Sequence, residues 1–88
     1  MPFKFEQLTV WQLAVELSDK INELTKSFPK DELFILTCQI KRAADSVSLN
    51  IAEGSTGQSN GEFKRFLGYA TRSGAELVGC LYLTRSRK

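Results

Sequence analysis

The stretch TVWQLAVELSDKINELTKSF, Thr9 to Phe28, decides how this chain folds. Its residues Val10, Ala14, Leu17, Ile21, Leu24 and Phe28 recur at alternating steps of four and three, which puts all six on one stripe of a helix. Thr9 with Gln12 reads as a capping box, and Pro29 closes the pattern because the residue before a proline is pushed out of the α region. The first helix is expected over about 9–27. Outward from it, Leu33, Leu36, Ile40, Ala43, Val47 and Ile51 form a second stripe, predicting a helix over about 30–53 with Gly54 as its left-handed C-cap. Gly54-Ser-Thr-Gly-Gln-Ser-Asn-Gly61 is loop chemistry, and Ser59 with Glu62 is a capping box that restarts a helix. A third helix over about 60–84 then carries Phe63, Leu67, Ala70, Gly74, Leu77 and Leu81 on one stripe. No strand-like alternation appears. The expected fold is all-α: a single domain over 1–88, built as an antiparallel up-down bundle of three helices crossing at about 20°.

The 88 residues carry 12 Lys/Arg, 10 Asp/Glu and 42% apolar side chains, the composition of one small globular domain. A chain of this size buries only about 60–65% of its unfolded surface, so partner subunits are an expected source of stability. Phe66, Tyr69, Tyr82 and Leu83 lie off the main stripe of the third helix. That second apolar flank calls for a further helix or another subunit to cover it.

Several chemistries are excluded or disfavoured. There is no histidine, which removes the commonest general base, the commonest zinc ligand and any Ser-His-Asp or Cys-His arrangement. Cys38 and Cys80 stand far apart without a C-x-x-C, so they read as two buried thiols in a reducing compartment, with no disulfide framework or zinc knuckle. The N-terminal MPFKFEQLTVW has no long apolar run, and nothing in the chain is long and apolar enough to span a membrane. A cytoplasmic protein without a cofactor, metal or catalytic residue is expected. The loop from Gly54 to Gly61 lacks the Walker signature, and Glu62 would repel a phosphate beside it; weak phosphate contact through Ser55, Thr56 or Gln58 stays open.

Two sets of residues invite a binding role. Gln39, Ser46, Asn50 and Glu53 form a polar stripe on the second helix, where Ser and Asn are mediocre helix formers, which reads as a hydrogen-bonding network, an interface or a recognition surface. Charge is also uneven: residues 1–54 hold six Lys/Arg and eight Asp/Glu, whereas 55–88 hold six and two. Lys41 and Arg42 on the second helix, with Lys64, Arg65 and Arg72 on the third, could face a phosphate backbone, and repetition of the basic half in an oligomer would strengthen its field. Local pairing, as of Lys41 with Asp45 or Arg72 with Glu76, is the simpler explanation of the same charges.

The runs Leu8-Thr-Val-Trp11, Phe28-Pro29 with Glu32, Gln39-Ile-Lys-Arg-Ala43, Ser46, Asn50-Ile-Ala-Glu-Gly54, and Glu62-Phe63 with Arg65-Phe66-Leu67 resemble the bacterial four-helix-bundle proteins encoded in intervening sequences of 23S ribosomal RNA genes. The accessory variability determinant of diversity-generating retroelements is similar to that family. The resemblance covers nearly the whole chain, and Asn50–Gly54 is its most specific run. It implies a homo-oligomeric ring of four-helix subunits, pentameric in characterised relatives, that binds nucleic acid without catalysing a reaction. Arg42 falls in the basic part of the second-helix motif, and Gln39, Ser46, Asn50 and Glu53 on its polar positions. The family's fourth helix has no counterpart before Lys88. The expected function is thus a non-enzymatic, self-associating bundle that binds RNA or DNA; the alternative is an interaction module docking a partner such as a reverse transcriptase.

Overall fold

The computed structural model describes residues 3–57 and 59–87. Gln58 lies outside them. A single 3-10 turn (Lys4–Gln7) is followed by three helices, α1 (Thr9–Thr25), α2 (Phe34–Ser55) and α3 (Asn60–Arg87), and the described residues contain no strand. The fold is the expected all-α arrangement, antiparallel from helix to helix. α3 sets the long dimension: 28 residues at ~1.5 Å each account for most of the 44 Å principal extent.

α2 is the central helix. Both α1 and α3 pack along it, whereas α1 and α3 bring no Cα atoms within 8 Å of each other among the described residues. Side chains bridge the gap from below. Ile21, Phe28, Leu33, Leu36, Ile40, Ala43, Leu77 and Cys80 make one cluster, with Ile40 wholly inaccessible, and Ala14, Ile51 and Ala70 make a second beside Trp11, Val47 and Leu67.

Local chemistry explains where the helices differ from the sequence reading. α1 is N-capped by Leu8, whose side chain offers no capping bond, and Gln12 instead donates through Nε2 to the Glu6 carbonyl at 2.9 Å. The Thr9–Gln12 capping box therefore does not form. The 3-10 turn ahead of α1 takes over the role: Phe3 N–H donates to Glu6 Oε2 at 2.7 Å, and Phe5 stands between the rings of Phe3 and Trp11 at centroid distances of 5.4 and 4.9 Å. α1 ends at Thr25 because three successive i→i−3 bonds, from Lys26, Ser27 and Phe28, tighten the chain ahead of Pro29. α2 starts at Phe34, about four residues later than the expected start near 30, since Leu33 has a non-helical backbone (φ −117°, ψ 19°) that turns its buried side chain into the corner beside Phe28.

Gly54 is the clearest correction. It is a helical residue inside α2, with no positive φ, and the helix runs on to Ser55 with Thr56 as its cap. Its glycine is required by proximity: a Cβ there would lie 2.5 Å from Phe66 Cβ and 3.2 Å from Phe63 Cδ1. The missing side chain lets α3 cross α2 at close range near the connecting loop. At the start of α3 the expected signal is used, since Ser59 Oγ accepts the Glu62 N–H at 3.1 Å.

The α1 stripe is only half covered. Ala14, Ile21 and Phe28 are buried, but Val10, Leu17 and Leu24, with Leu13 beside them, are exposed. Six apolar positions at heptad spacing mark an apolar face without showing how much of it one neighbouring helix can reach. Cys38 was likewise expected to be buried and is exposed on the outer side of α2, while Cys80 is in the core; both are free thiols. Burial, and secondarily the Glu76 carboxylate, push the Cys80 thiol above its ordinary value.

Candidate nucleic-acid interface and open groove

All five basic candidates, Lys41, Arg42, Lys64, Arg65 and Arg72, are exposed. They do not form a single patch. Neighbours in sequence are turned about 100° apart on a helix, so Lys41 and Arg42 diverge, as do Lys64 and Arg65. Lys41 leans toward α1, lining one cavity with Ser18, Asp19, Asn22 and Asp45 and a second with Lys26, Lys30, Phe28 and Phe34. Arg65 and Arg72, seven residues apart, share one face of α3. The Arg65 guanidinium carbon stands 5.6 Å from the Phe66 ring centroid, an arrangement that holds the side chain along the helix surface and leaves its donors outward.

The charges are little neutralised within the chain. Among the described residues the one ion pair is Lys26 Nζ to Glu23 Oε2 at 2.9 Å. Lys41–Asp45 and Arg72–Glu76, the pairings expected from spacing, are not made. Arg65 does share a cavity with Glu53 and Glu62, so its immediate field is mixed, whereas Arg72 sits further along the helix.

The polar stripe of α2 runs beside α3. Gln39, Ser46 and Asn50 are half-buried and Glu53 is exposed. Gln39 shares a cavity with Arg87, and Glu53 one with Arg65. Among the described residues the stripe builds no bridge between helices: the Asn50 side chain donates to the Ser46 carbonyl of its own helix at 2.8 Å. The side-chain bond that does cross helices is Ser18 Oγ to the Ala44 carbonyl, 3.1 Å, on the α1 side. Among the described residues no group of three or more His, Cys, Asp or Glu side chains gathers as it would to hold a metal ion.

Sequence reading located the exposed apolar surface on α3 alone. Phe66 is half-buried over Gly54, while Tyr69, Val78, Tyr82 and Leu83 are exposed. Val78, Leu81, Tyr82 and Arg85 line an apolar groove of about 300 Å³, with the Arg85 guanidinium 4.8 Å from the Tyr82 ring centroid. This flank of α3 is the one turned toward α1, because Leu81 and Leu67 on it reach the core clusters that contain Ile21 and Ala14. The exposed strip of α1 faces the same opening, since Ser18 and Asn22 occupy the opposite flank, against α2. Two half-covered helices thus flank one open channel above α2. Of the off-stripe residues Phe66, Tyr69, Tyr82 and Leu83 of α3, Tyr82 alone lines the groove, whereas Tyr69 and Leu83 fall on the other flank beside Arg65 and Arg72; the α1 wall was not legible in the spacing.

No helix of the described residues is long and apolar enough to cross a membrane. Comparison with known proteins finds no match among curated proteins and none among solved structures. A family model does match, and it spans residues 6–88, which takes in all of α1, the α2 polar stripe, the Gly54 crossing and the whole of α3. The chain belongs to the 23S rRNA-intervening sequence protein family.

Proposed function

We propose that this chain is a non-enzymatic, self-associating helical bundle that binds RNA or DNA through basic residues of α2 and α3. The observation that carries the reading is the pair Arg65 and Arg72: exposed, on one face of α3, and free of ion pairs among the described residues. Phosphate contact of this kind is sequence-independent and depends on salt, because each neutralised phosphate releases counterions. Lys64 and Arg42 flank the face and extend its reach when subunits associate. The 23S rRNA-intervening sequence family supports the same direction through its association with ribosomal RNA genes.

The channel between α1 and α3 supports self-association, with a second copy as its occupant. Both of its walls are exposed apolar strips, Val10, Leu13, Leu17 and Leu24 on α1 and Val78 and Tyr82 on α3, so two copies can cover each other's. The proposed setting is the cytoplasm.

The test is binding of labelled structured RNA and duplex DNA across a salt series, with mass in solution measured in parallel. Arg65→Glu with Arg72→Glu is expected to reduce the slope of log K against log salt by about 1.8 on duplex, two contacts at ~0.9 each. The helical circular dichroism should be unchanged. An unaltered slope refutes the assignment of these residues. A chain that binds nothing and stays monomeric at high concentration would favour the interaction-module reading, with a foreign partner such as a reverse transcriptase in the channel.

A further inference from the structure

At the corner between α1 and α2, Lys26, Lys30 and Lys41 surround a mostly apolar cavity of about 300 Å³ whose walls include Phe28 and Phe34. These residues come from three places in the sequence: the end of α1, the turn that follows, and the second turn of α2. Their convergence is a product of the fold. Lys26 is held by Glu23, while Lys30 and Lys41 have no ion pair among the described residues. The carboxylates nearest Lys41, Asp19 and Asp45, line a different cavity on its other side. Phe34 is the first residue of α2 and 64% exposed, an arrangement that packing within the chain does not account for. Asp31 and Glu32, which follow Lys30 in the sequence, line a separate cavity that Phe34 also borders, with Ile35 and Leu36.

We propose that this corner binds one nucleotide of a single strand, the base stacking on the Phe34 ring and the phosphate held by Lys30 and Lys41. Ammonium groups alone would suit any anion, and an aromatic cavity alone any apolar ligand. Together they suit an anion that carries a flat apolar face. An unpaired base presents that face, whereas a duplex offers the corner only its phosphates. The cavity volume falls at the lower end of the small-ligand range, in keeping with a single nucleotide. The inference rests on the nucleic-acid function proposed above and adds a second, strand-selective contact at the opposite end of α2 from the loop before α3.

The experiment is fluorescence anisotropy of the full chain with a labelled short oligoadenylate, compared with a labelled duplex of the same length. Phe34→Leu keeps an apolar side chain at an exposed position and removes the ring. It is expected to weaken single-strand binding about tenfold, the equivalent of one base–aromatic stack, and to leave duplex binding unchanged. Lys30→Glu with Lys41→Glu should lower the single-strand salt slope by about 1.4, two phosphate contacts at ~0.7 each. Unchanged oligoadenylate binding by Phe34→Leu overturns the corner site, as does a wild-type chain that binds the duplex but no single strand. If Arg65→Glu with Arg72→Glu abolishes binding while the corner variants do nothing, the corner fails and the broader function stands. If the wild-type chain binds neither oligonucleotide, both fall together.

Discussion

Replacing Gly54 by alanine sets two opposing effects against each other. In an exposed helix interior the change would stabilise by about 0.8–1 kcal/mol, because alanine loses less backbone entropy on folding. Here the new methyl would meet Phe66 Cβ at 2.5 Å. That atom is bonded directly to the α3 backbone, so no rotamer change withdraws it and the two helices must part. Overpacking of this kind costs about 1–3 kcal/mol, and separating α3 from α2 also loosens Phe63, which would stand 3.2 Å from the same methyl. Set against the propensity gain, the net change runs from about zero to a loss of about 2 kcal/mol, which at its upper end lowers Tm by about 8 °C or more for a chain of this length. Gly79 supplies the control. A Cβ there meets nothing within 4 Å, so Gly79→Ala should raise stability by about the propensity difference alone. Thermal and urea unfolding of the three proteins at one matched concentration measures both signs, matching being needed because association shifts Tm. A Gly54→Ala protein as stable as the Gly79→Ala protein would refute the close-approach account and leave the glycine without a packing role.

Four further outcomes follow from single features. Leu13, 58% exposed on the channel wall, should support self-association, so Leu13→Glu is expected to weaken it roughly tenfold while leaving the monomer helical, as read by sedimentation equilibrium. Cys38 should be alkylated rapidly under native conditions and Cys80 slowly, as mass spectrometry after timed iodoacetamide exposure would read. Because the folded state holds the Cys80 thiol above its ordinary value of 9.0, it favours the protonated form; the stability this brings is complete below that value and is lost as pH rises past it. Cys80→Ala would remove that alkaline loss, at the cost of a small cavity. Ser59→Ala removes the acceptor for the Glu62 N–H and should destabilise by about 1 kcal/mol in urea titration.

The helices were legible because their apolar residues recur with helical period and because Pro29 and Ser59 punctuate them. Their limits were less so. Leu33 belongs to the second stripe by spacing but is spent on a corner, and spacing alone cannot separate a helical leucine from one that turns the chain inward. Gly54 read as a stop because a glycine before a polar loop commonly is one; the aromatic side chain it accommodates lies twelve residues further on, beyond any local pattern. The candidate site shows the same division. Arg65 and Arg72 share a face by arithmetic on residue number, and the structure places them so. Lys41 and Arg42 looked like one basic pair, although adjacent helical residues diverge, and Lys41 instead joins Lys26 and Lys30. Those two flank Phe28-Pro29 in the sequence, a signal that packing of Phe28 was sufficient to explain.

The lateral separation of α1 from α3 bears on how the chain reaches its native state. Among the described residues, backbone contacts run between consecutive elements and from the 3-10 turn to α2, so helix pairing requires mostly short loops to close. Low contact order of this kind places folding in the microsecond to millisecond range. It also divides the molecule into two overlapping hairpins that share α2. Either can dock first, and α1, whose backbone packs on α2 and which meets α3 only through side chains, can lift away while α2 and α3 remain paired. Amide protons of α1 should therefore exchange through a partial opening that leaves those of α2 protected.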